Sequence, residues 1–336
     1  MSEIKIEIID ASIGYFTKKS NSIILSNINL TAQKGENIAL IGVNGSGKST
    51  LLRSISGNQD LLSGKIKIDT LEINKYKPID LAKKLSIVTS EIINTRFLKV
   101  KDLVGLGRFP HQSFSKKIDN TDTKIVRETL EITGTLHLAE KNINEISDGE
   151  RQKVMIARAL AQDTDIVLLD EPTAFLDIQN KYSVYNILSR TAKEQNKTII
   201  FSTHDLNIAL KHADKVWLIK DDKIYEGAPE DLILKDVFNH LFKSNEVSFN
   251  KLTNEFSVNF PKKYSILITD NLNDKLVNRL TINALMRNRF YVSKENSLSE
   301  LVINKDKTWD LFYEEQKYSF SNIYEMMRKL YYLIEK

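Results

Sequence analysis

The chain has 336 residues, room for about two domains at ~100–200 residues each and for a sizeable buried core. Its make-up, 41% apolar and 27% charged, is that of a soluble globular protein, and the lack of any cysteine excludes disulfides, cysteine-bound zinc and thiol catalysis. A net charge of +4 is too small to argue for a nucleic-acid partner. The opening "MSEIKIEIID" lacks the apolar core of a secretory signal, and no stretch approaches the ~20 apolar residues of a membrane span. A cytosolic protein is expected, with any membrane role exercised through a partner.

Along residues 1–245, short apolar runs alternate with helical patterns, which predicts an α/β domain with a partly parallel sheet. Four runs stand out: "NIALIGV" (37–43), "KLSIVTS" (84–90), "DIVLLDE" (165–171) and "KTIIFSTHD" (197–205). Each is almost continuously apolar, as strands buried on both faces are. The carboxyl ends of such strands line the ligand crevice of open α/β sheets, so the residues that follow each run are the first candidates for chemistry. Between about 91 and 163 helical patterns dominate, with Ile125, Leu130 and Ile132 on helical spacings, which reads as a helical insert. The polar stretch "LFKSNEVSFNKLTNEF" reads as a linker and sets a boundary near 245. Beyond it, 246–336 reads as a small α+β domain of unknown role: a strand "YSILITD", an amphipathic helix at 273–290 with Leu276, Leu280 and Ala284 four apart, strands "ELVINKD" and "TWDLFYEE", and a helix at 321–335 with Ile323, Met327, Leu330 and Ile334 on one face. Self-association or regulation is the role expected of this domain.

The first run ends in Gly42-x-x-x-x-Gly47-Lys48-Ser49, between a strand and a helix, which is the full Walker A pattern in its proper setting. Gly42, Val43, Asn44, Gly45, Ser46 and Gly47 form the loop whose backbone N–H groups turn inward on phosphate oxygens, and the helix carrying Lys48, Ser49 and Thr50 adds its positive end. Lys48 supplies a charge to the β/γ-phosphates and Ser49 a hydroxyl to Mg²⁺. The third run ends in Asp170-Glu171: Asp170 is suited to holding the Mg²⁺, and Glu171 to accepting a proton from an attacking water. His204 follows the fourth run, on the same predicted sheet edge, where it can meet a γ-phosphate or the water; a structural or merely exposed histidine is the plainer alternative. The other four histidines lack metal-ligand spacing. In "ISDGERQK", Ser147 and Glu150 form a capping box for an alanine-rich helix, and Gly149 beside them leaves an anion site at the same helix end.

Over residues 5–240 these motifs, in this order, resemble the ATP-binding-cassette (ABC) ATPases. Tyr15 stands where that family's adenine-stacking aromatic does, 42–49 is Walker A, "ISDGE" (146–150) matches the signature usually written LSGGQ, 165–171 is Walker B, Asp177 closes the D-loop "FLD", and His204 is the switch histidine. The resemblance implies a P-loop NTPase fold with a mixed-sheet core and a helical subdomain, ATP and Mg²⁺ as cofactors, and a head-to-tail dimer. In such a dimer Ser147, Gly149, Glu150 and Asp177 of one subunit cover the ATP on the other. It further implies a separate membrane permease as partner, a periplasmic or extracellular binding protein met indirectly, and a place on the inner face of the membrane. "VGLGRFPH" (104–111) is similar to the segment found in ATPases of importers for iron–siderophore complexes, haem and cobalamin. The rival is an ABC-type ATPase acting on nucleic acid or ribosomes; a single cassette and a small positive charge speak against it, and intact Lys48, Asp170 and Glu171 speak against a catalytically dead cassette.

Two departures matter. The signature carries Asp148 and Glu150 where the family has Gly and Gln; both acids suit a helix N-terminus and both would repel an incoming γ-phosphate, with Arg151 and Lys153 as possible offsets. The family's Q-loop glutamine, a Mg²⁺ and permease contact, is matched here by Ser90 or its neighbour Glu91, either of which can ligate Mg²⁺ through oxygen.

Overall fold

The computed structural model describes residues 3–16, 21–89, 98–112, 120–239, 241, 247–251, 255–293 and 299–334. The chain divides into two compact units, Met1–Lys243 with Phe249–Phe256, and Ser244–Ser248 with Ser257–Lys336. The exchange of the short segment 249–256 has an aromatic cause. Phe249 and Phe256 pack against each other with ring centroids 4.9 Å apart and against Phe238 at 5.3 and 6.4 Å, so both rings join the first core.

The first unit opens with two long strands, β1 (Ile4–Phe16) and β2 (Asn21–Gln33), followed by β3 (Asn37–Gly42) and helix α1 (Lys48–Ile55). Next come β4 (Ser63–Ile68), β5 (Leu71–Glu72), the short helix α2 (Pro78–Ala82) and β6 (Leu85–Val88). Helices α3 (Val100–Gly105), α4 (Asn120–Ile132) and α5 (Asp148–Ala161) then lead to β7 (Ile166–Leu169), α6 (Ile178–Glu194), β8 (Thr198–Thr203), α7 (Leu206–His212), β9 (Lys215–Lys220), β10 (Lys223–Gly227) and α8 (Pro229–Leu234).

The four apolar runs become β3, β6, β7 and β8, and they are neighbours. The main sheet has the order β10-β9-β3-β8-β7-β6, with β3, β8, β7 and β6 parallel to one another, so their carboxyl ends share one edge. Period-two alternation explains their unbroken hydrophobicity. Ala39 and Ile41 of β3 face a core shared with α3–α7, while Ile38 and Leu40 face a second core shared with α1 and the other sheet. That other sheet, β2-β1-β4-β5, is antiparallel and was not singled out by the sequence patterns. Lys5 pins it down: a nearly buried ammonium reaches Glu3, Asp69 and Asp165 at 2.7, 3.0 and 2.9 Å; burial pushes its pKa down, and the three carboxylates outweigh that and hold it above the ordinary lysine value.

In the helical stretch, Leu130 is buried with Ile125 and Ile132 packed beside it. Arg108, from the 104–111 segment, is buried and fastened to Asp122 of α4 at 2.8 Å and to the carbonyl of Ala161 at the end of α5, also at 2.8 Å. Gly107 is needed there, because a Cβ would lie 2.2 Å from the carbonyl oxygen of Arg158.

A short hairpin, β11 (Val247–Asn250) and β12 (Glu255–Val258), precedes the second unit's own elements. These are β13 (Tyr264–Asp270), α9 (Lys275–Arg287), β14 (Phe290–Ser293), β15 (Ser299–Ile303), β16 (Trp309–Tyr313), β17 (Gln316–Phe320) and α10 (Ile323–Ile334), with sheet order β14-β13-β15-β16-β17. Strands β14 and β17 extend the expected β-α-β-β-α pattern at each edge. The face of α9 differs from the leucine spacing. Leu276 and Leu280 are 57% and 48% exposed, whereas Thr281, Ala284 and Leu285 are buried. The indole N–H of Trp309 supplies the reason: it donates to the Thr281 hydroxyl at 3.0 Å, and that hydroxyl donates to the Val277 carbonyl at 2.9 Å. A buried indole donor must be paired, so a threonine takes the inward position and the leucines turn out.

Candidate functional site

The loop from β3 to α1 is shaped by glycines where other residues fail. Gly45 and Gly47 have φ of +80° and +102°, and a Cβ on Gly42 would lie 2.5 Å from the Ser46 hydroxyl. No side chain caps α1 and no acid sits in its first turn, so its leading N–H groups face the loop unneutralised. Lys48 is buried and donates to the carbonyls of Gly42 and Val43 at 2.9 and 3.3 Å. Burial pushes its ammonium below the usual lysine range, and the Glu171 and Asp170 carboxylates push the other way. The Ser46 hydroxyl is buried without a partner among the described residues. Such an orphaned hydroxyl beside a desolvated ammonium is what a phosphate oxygen would satisfy. Tyr15, at the end of β1, reaches Thr50 of α1 at 3.4 Å between hydroxyl oxygens, so the exposed aromatic stands beside the phosphate loop.

At the neighbouring strand ends, Asp170 is buried and accepts from the Ser202 hydroxyl at 2.7 Å. The same hydroxyl accepts from the backbone N–H of Glu171 at 2.8 Å. Glu171 sits at φ +49°, a left-handed conformation that costs energy for a non-glycine residue. Its carboxylate lies 3.6 Å from Nδ1 of His204. The turn carrying His204 is anchored below by a buried relay, Thr173 to Tyr185 at 3.2 Å and Tyr185 to Thr203 at 2.9 Å, and the Lys181–Asp205 pair closes it at 3.1 Å. One acceptor carboxylate, one metal-competent carboxylate, a histidine and a lysine thus converge on one edge of the sheet. The donor set of Ser49 hydroxyl and Asp170 carboxylate suits Mg²⁺, which takes few protein oxygens and completes its shell with phosphate and water.

A second cluster forms at the N-termini of α5 and α6. Ser147 caps α5 as a reciprocal box: its hydroxyl accepts the Glu150 N–H at 3.3 Å, while the Glu150 carboxylate accepts the Ser147 N–H at 2.8 Å and the Ser147 hydroxyl proton at 2.9 Å. These bonds hold the Glu150 carboxyl below its ordinary pKa. Asp148 pairs with Arg151 at 3.0 Å, and His137 approaches Glu150 at 4.0 Å. Asp177 caps α6 through the Asn180 N–H at 2.8 Å and holds the Asn180 side chain at 2.9 Å. A Cβ on Gly149 would lie 2.6 Å from Nδ2 of that same Asn180. Gly149, Asn180 and Asp177 therefore form one contact chain. Beside it, Phe175 projects wholly into solvent at φ +61°. Among the described residues, no hydrogen bond or ion pair joins Ser147, Gly149 or Glu150 to the loop at 42–50.

Ser90 and Glu91 lie outside the described residues. Ser202 and Asn180 escaped the sequence reading. A hydroxyl inside the otherwise apolar "TIIFST" is the signal that could have found the first; for the second, a helix-start asparagine offers none.

Three comparisons bear on this geometry. The profile of the ABC transporter family matches residues 25–174. A Bacillus subtilis protein described as a probable siderophore transport system ATP-binding protein is 36% identical over 235 residues, covering 70% of this chain and 84% of its own length. Among solved structures, a metal-chelate type ABC transporter in an inward-facing conformation superposes with a TM-score of 0.60 at 28% identity, covering 68% of this chain and 85% of that one. A dimeric ATP-binding cassette in a post-hydrolysis state bound to ADP and Pi superposes with a TM-score of 0.59 at 26% identity, covering 67% and 98%.

Proposed function

The chain belongs to the ABC transporter family and is an ATPase, and on that premise we propose that it drives uptake of an iron chelate or cobalamin through a separate membrane permease. The observation that carries this reading is the convergence of Lys48, Asp170, Glu171 and His204 on one sheet edge, in a chain similar to siderophore-transport ATPases. No described helix is long and apolar enough to cross a membrane, in keeping with a peripheral subunit on the inner face.

In the proposed mechanism Tyr15 stacks on the base, and the loop at 42–50 with Lys48 holds the phosphates. Glu171 accepts a proton as water attacks the γ-phosphorus; the new P–O bond forms in line as the bond to ADP breaks. His204 orients the water and the γ-phosphate. Ser49 and Asp170 would hold Mg²⁺, which when bound draws charge from the phosphate oxygens. The signature and D-loop cluster faces a second copy, whose ATP Ser147, Gly149 and Asp177 cover; the likeness to a dimeric cassette bound to ADP and Pi supports that arrangement.

Glu150 should act as a brake on closure. Its carboxylate holds the Ser147 hydroxyl proton that a partner's γ-phosphate needs, and its charge opposes that phosphate. In Glu150→Gln the amide oxygen can still accept the Ser147 N–H while the amide donor releases the hydroxyl. The variant should keep its fold and dimerise at ATP concentrations roughly 3–10-fold lower, about 0.7–1.4 kcal/mol. Unchanged or weaker ATP-driven dimerisation by size-exclusion chromatography would refute the brake.

The transport reading is tested by purifying the tagged chain from detergent-solubilised membranes of its own cells. A polytopic membrane protein should accompany it. Recovery with RNA or ribosomes instead would favour the soluble ATPase class.

A further inference from the structure

The second unit has a surface its own fold leaves unused. Helices α9 and α10 share one core with the inward side of the sheet and touch each other. Between them runs a groove of about 1030 Å³. Ala284 and Met327 form its floor, Tyr324 and Tyr331 of α10 form a wall, and Arg287 and Arg328 stand at its rim. Turning the leucines of α9 outward to seat Thr281 under Trp309 places Leu280 in the opposite wall.

This surface is both apolar and cationic. Tyr324 is 71% exposed, and the Arg328 guanidinium stands over its ring at 5.9 Å from the centroid. No carboxylate is among the described residues that line the groove. A second copy docked there groove to groove would bring four arginines into one interface with no carboxylate from either groove to neutralise them. The volume is close to the upper end of small-molecule clefts, roughly 300–1,000 Å³, which are mostly apolar with a few convergent polar groups. The length available is about 10–14 Å, from the rise of Leu280–Arg287 on one helix and Ile323–Tyr332 on the other.

We propose that this groove binds a small aromatic anion. Its ring system lies on Ala284 and Met327 between Tyr324 and Tyr331, and its anionic group is held by Arg287 and Arg328. Guanidinium forks bind carboxylate, sulfonate or phosphate in charge-assisted bonds, and tyrosine faces accept aromatic rings by offset stacking. The site lies wholly within the second unit and is independent of the transport reading.

The test uses the full chain and two probes of like shape, 8-anilinonaphthalene-1-sulfonate and the uncharged N-phenyl-1-naphthylamine, followed by fluorescence titration. Saturable binding of the sulfonate is expected, unchanged in Lys48→Ala, which excludes the nucleotide site as its source. The double variant Arg287→Gln/Arg328→Gln alters only exposed residues. It should weaken the sulfonate by about ten-fold or more and the neutral probe by less than about two-fold. Tyr324→Ala should weaken both. Non-saturable binding, an equal effect of the double variant on both probes, or no effect on either overturns the proposal. So does a dimer in the probe-free protein that the double variant abolishes, since a second copy would then be the occupant.

Discussion

Glu171→Gln is expected to lower the rate of ATP hydrolysis by roughly 10²–10⁴-fold, the usual contribution of a positioned general base. The substitution preserves the size and shape of the side chain but removes the ability to take a proton from water. The left-handed backbone at φ +49° and the N–H bond to Ser202 are both indifferent to the change, so the loop should keep its shape. ATP affinity should hold or rise, because a negative charge beside the phosphates is lost while Lys48 remains. The ATP-bound dimer should therefore accumulate. Single-turnover phosphate release and size-exclusion chromatography with ATP measure the two halves of this result. A rate within ten-fold of the unmodified protein would remove Glu171 from the role of base.

The second large effect is expected at a residue that touches no substrate. Ser202 is fully buried and serves both acids at once: its hydroxyl donates to Asp170 and accepts from the Glu171 N–H. In Ser202→Ala the Asp170 carboxylate loses a charge-assisted donor and the Glu171 N–H is left without its acceptor. Each loss of this kind is worth about 1–3 kcal/mol, and a displacement of a reacting group by about 1 Å costs about 10²-fold in rate. A fall of roughly 10–100-fold in kcat is expected, with a raised Mg²⁺ requirement and unchanged nucleotide affinity in the absence of metal. A merely structural serine would lower thermal stability and leave the Mg²⁺ dependence of the remaining activity where it was. Asp170 and Glu171 are adjacent in sequence, yet their relative aim is set by a third residue on the next strand.

Much of the cassette was legible because its signals are local. The loop at 42–49, the acids after "DIVLL" and the box of Ser147 and Glu150 each lie within a few consecutive residues. Covalent geometry and short-range hydrogen bonding fix what such stretches can form. The parallel strands were legible for a related reason: a strand buried on both faces has to be apolar throughout. The antiparallel sheet of β1, β2, β4 and β5 was harder to see. Its sequences alternate with bulges, as at Ile8/Ala11 and Ala11/Ile13, and the register shifts blur the period of two.

The sequence by itself therefore determined the chemistry on offer: a phosphate loop, a pair of acids, a histidine and a capped helix end. Tertiary structure decided which of these groups meet, and how. It placed Ser202 between two acids more than thirty positions away, and set Asn180 against Gly149 so that the signature and the D-loop cap form one contact chain. It also turned Leu276 and Leu280 of α9 outward, because a buried indole on β16 required a hydroxyl in their place. Spacing along one element can report which residues share a face. It cannot report a polar requirement imposed from another element, since an unpaired buried donor costs more than an exposed leucine, and that cost arises only when the two elements are packed together.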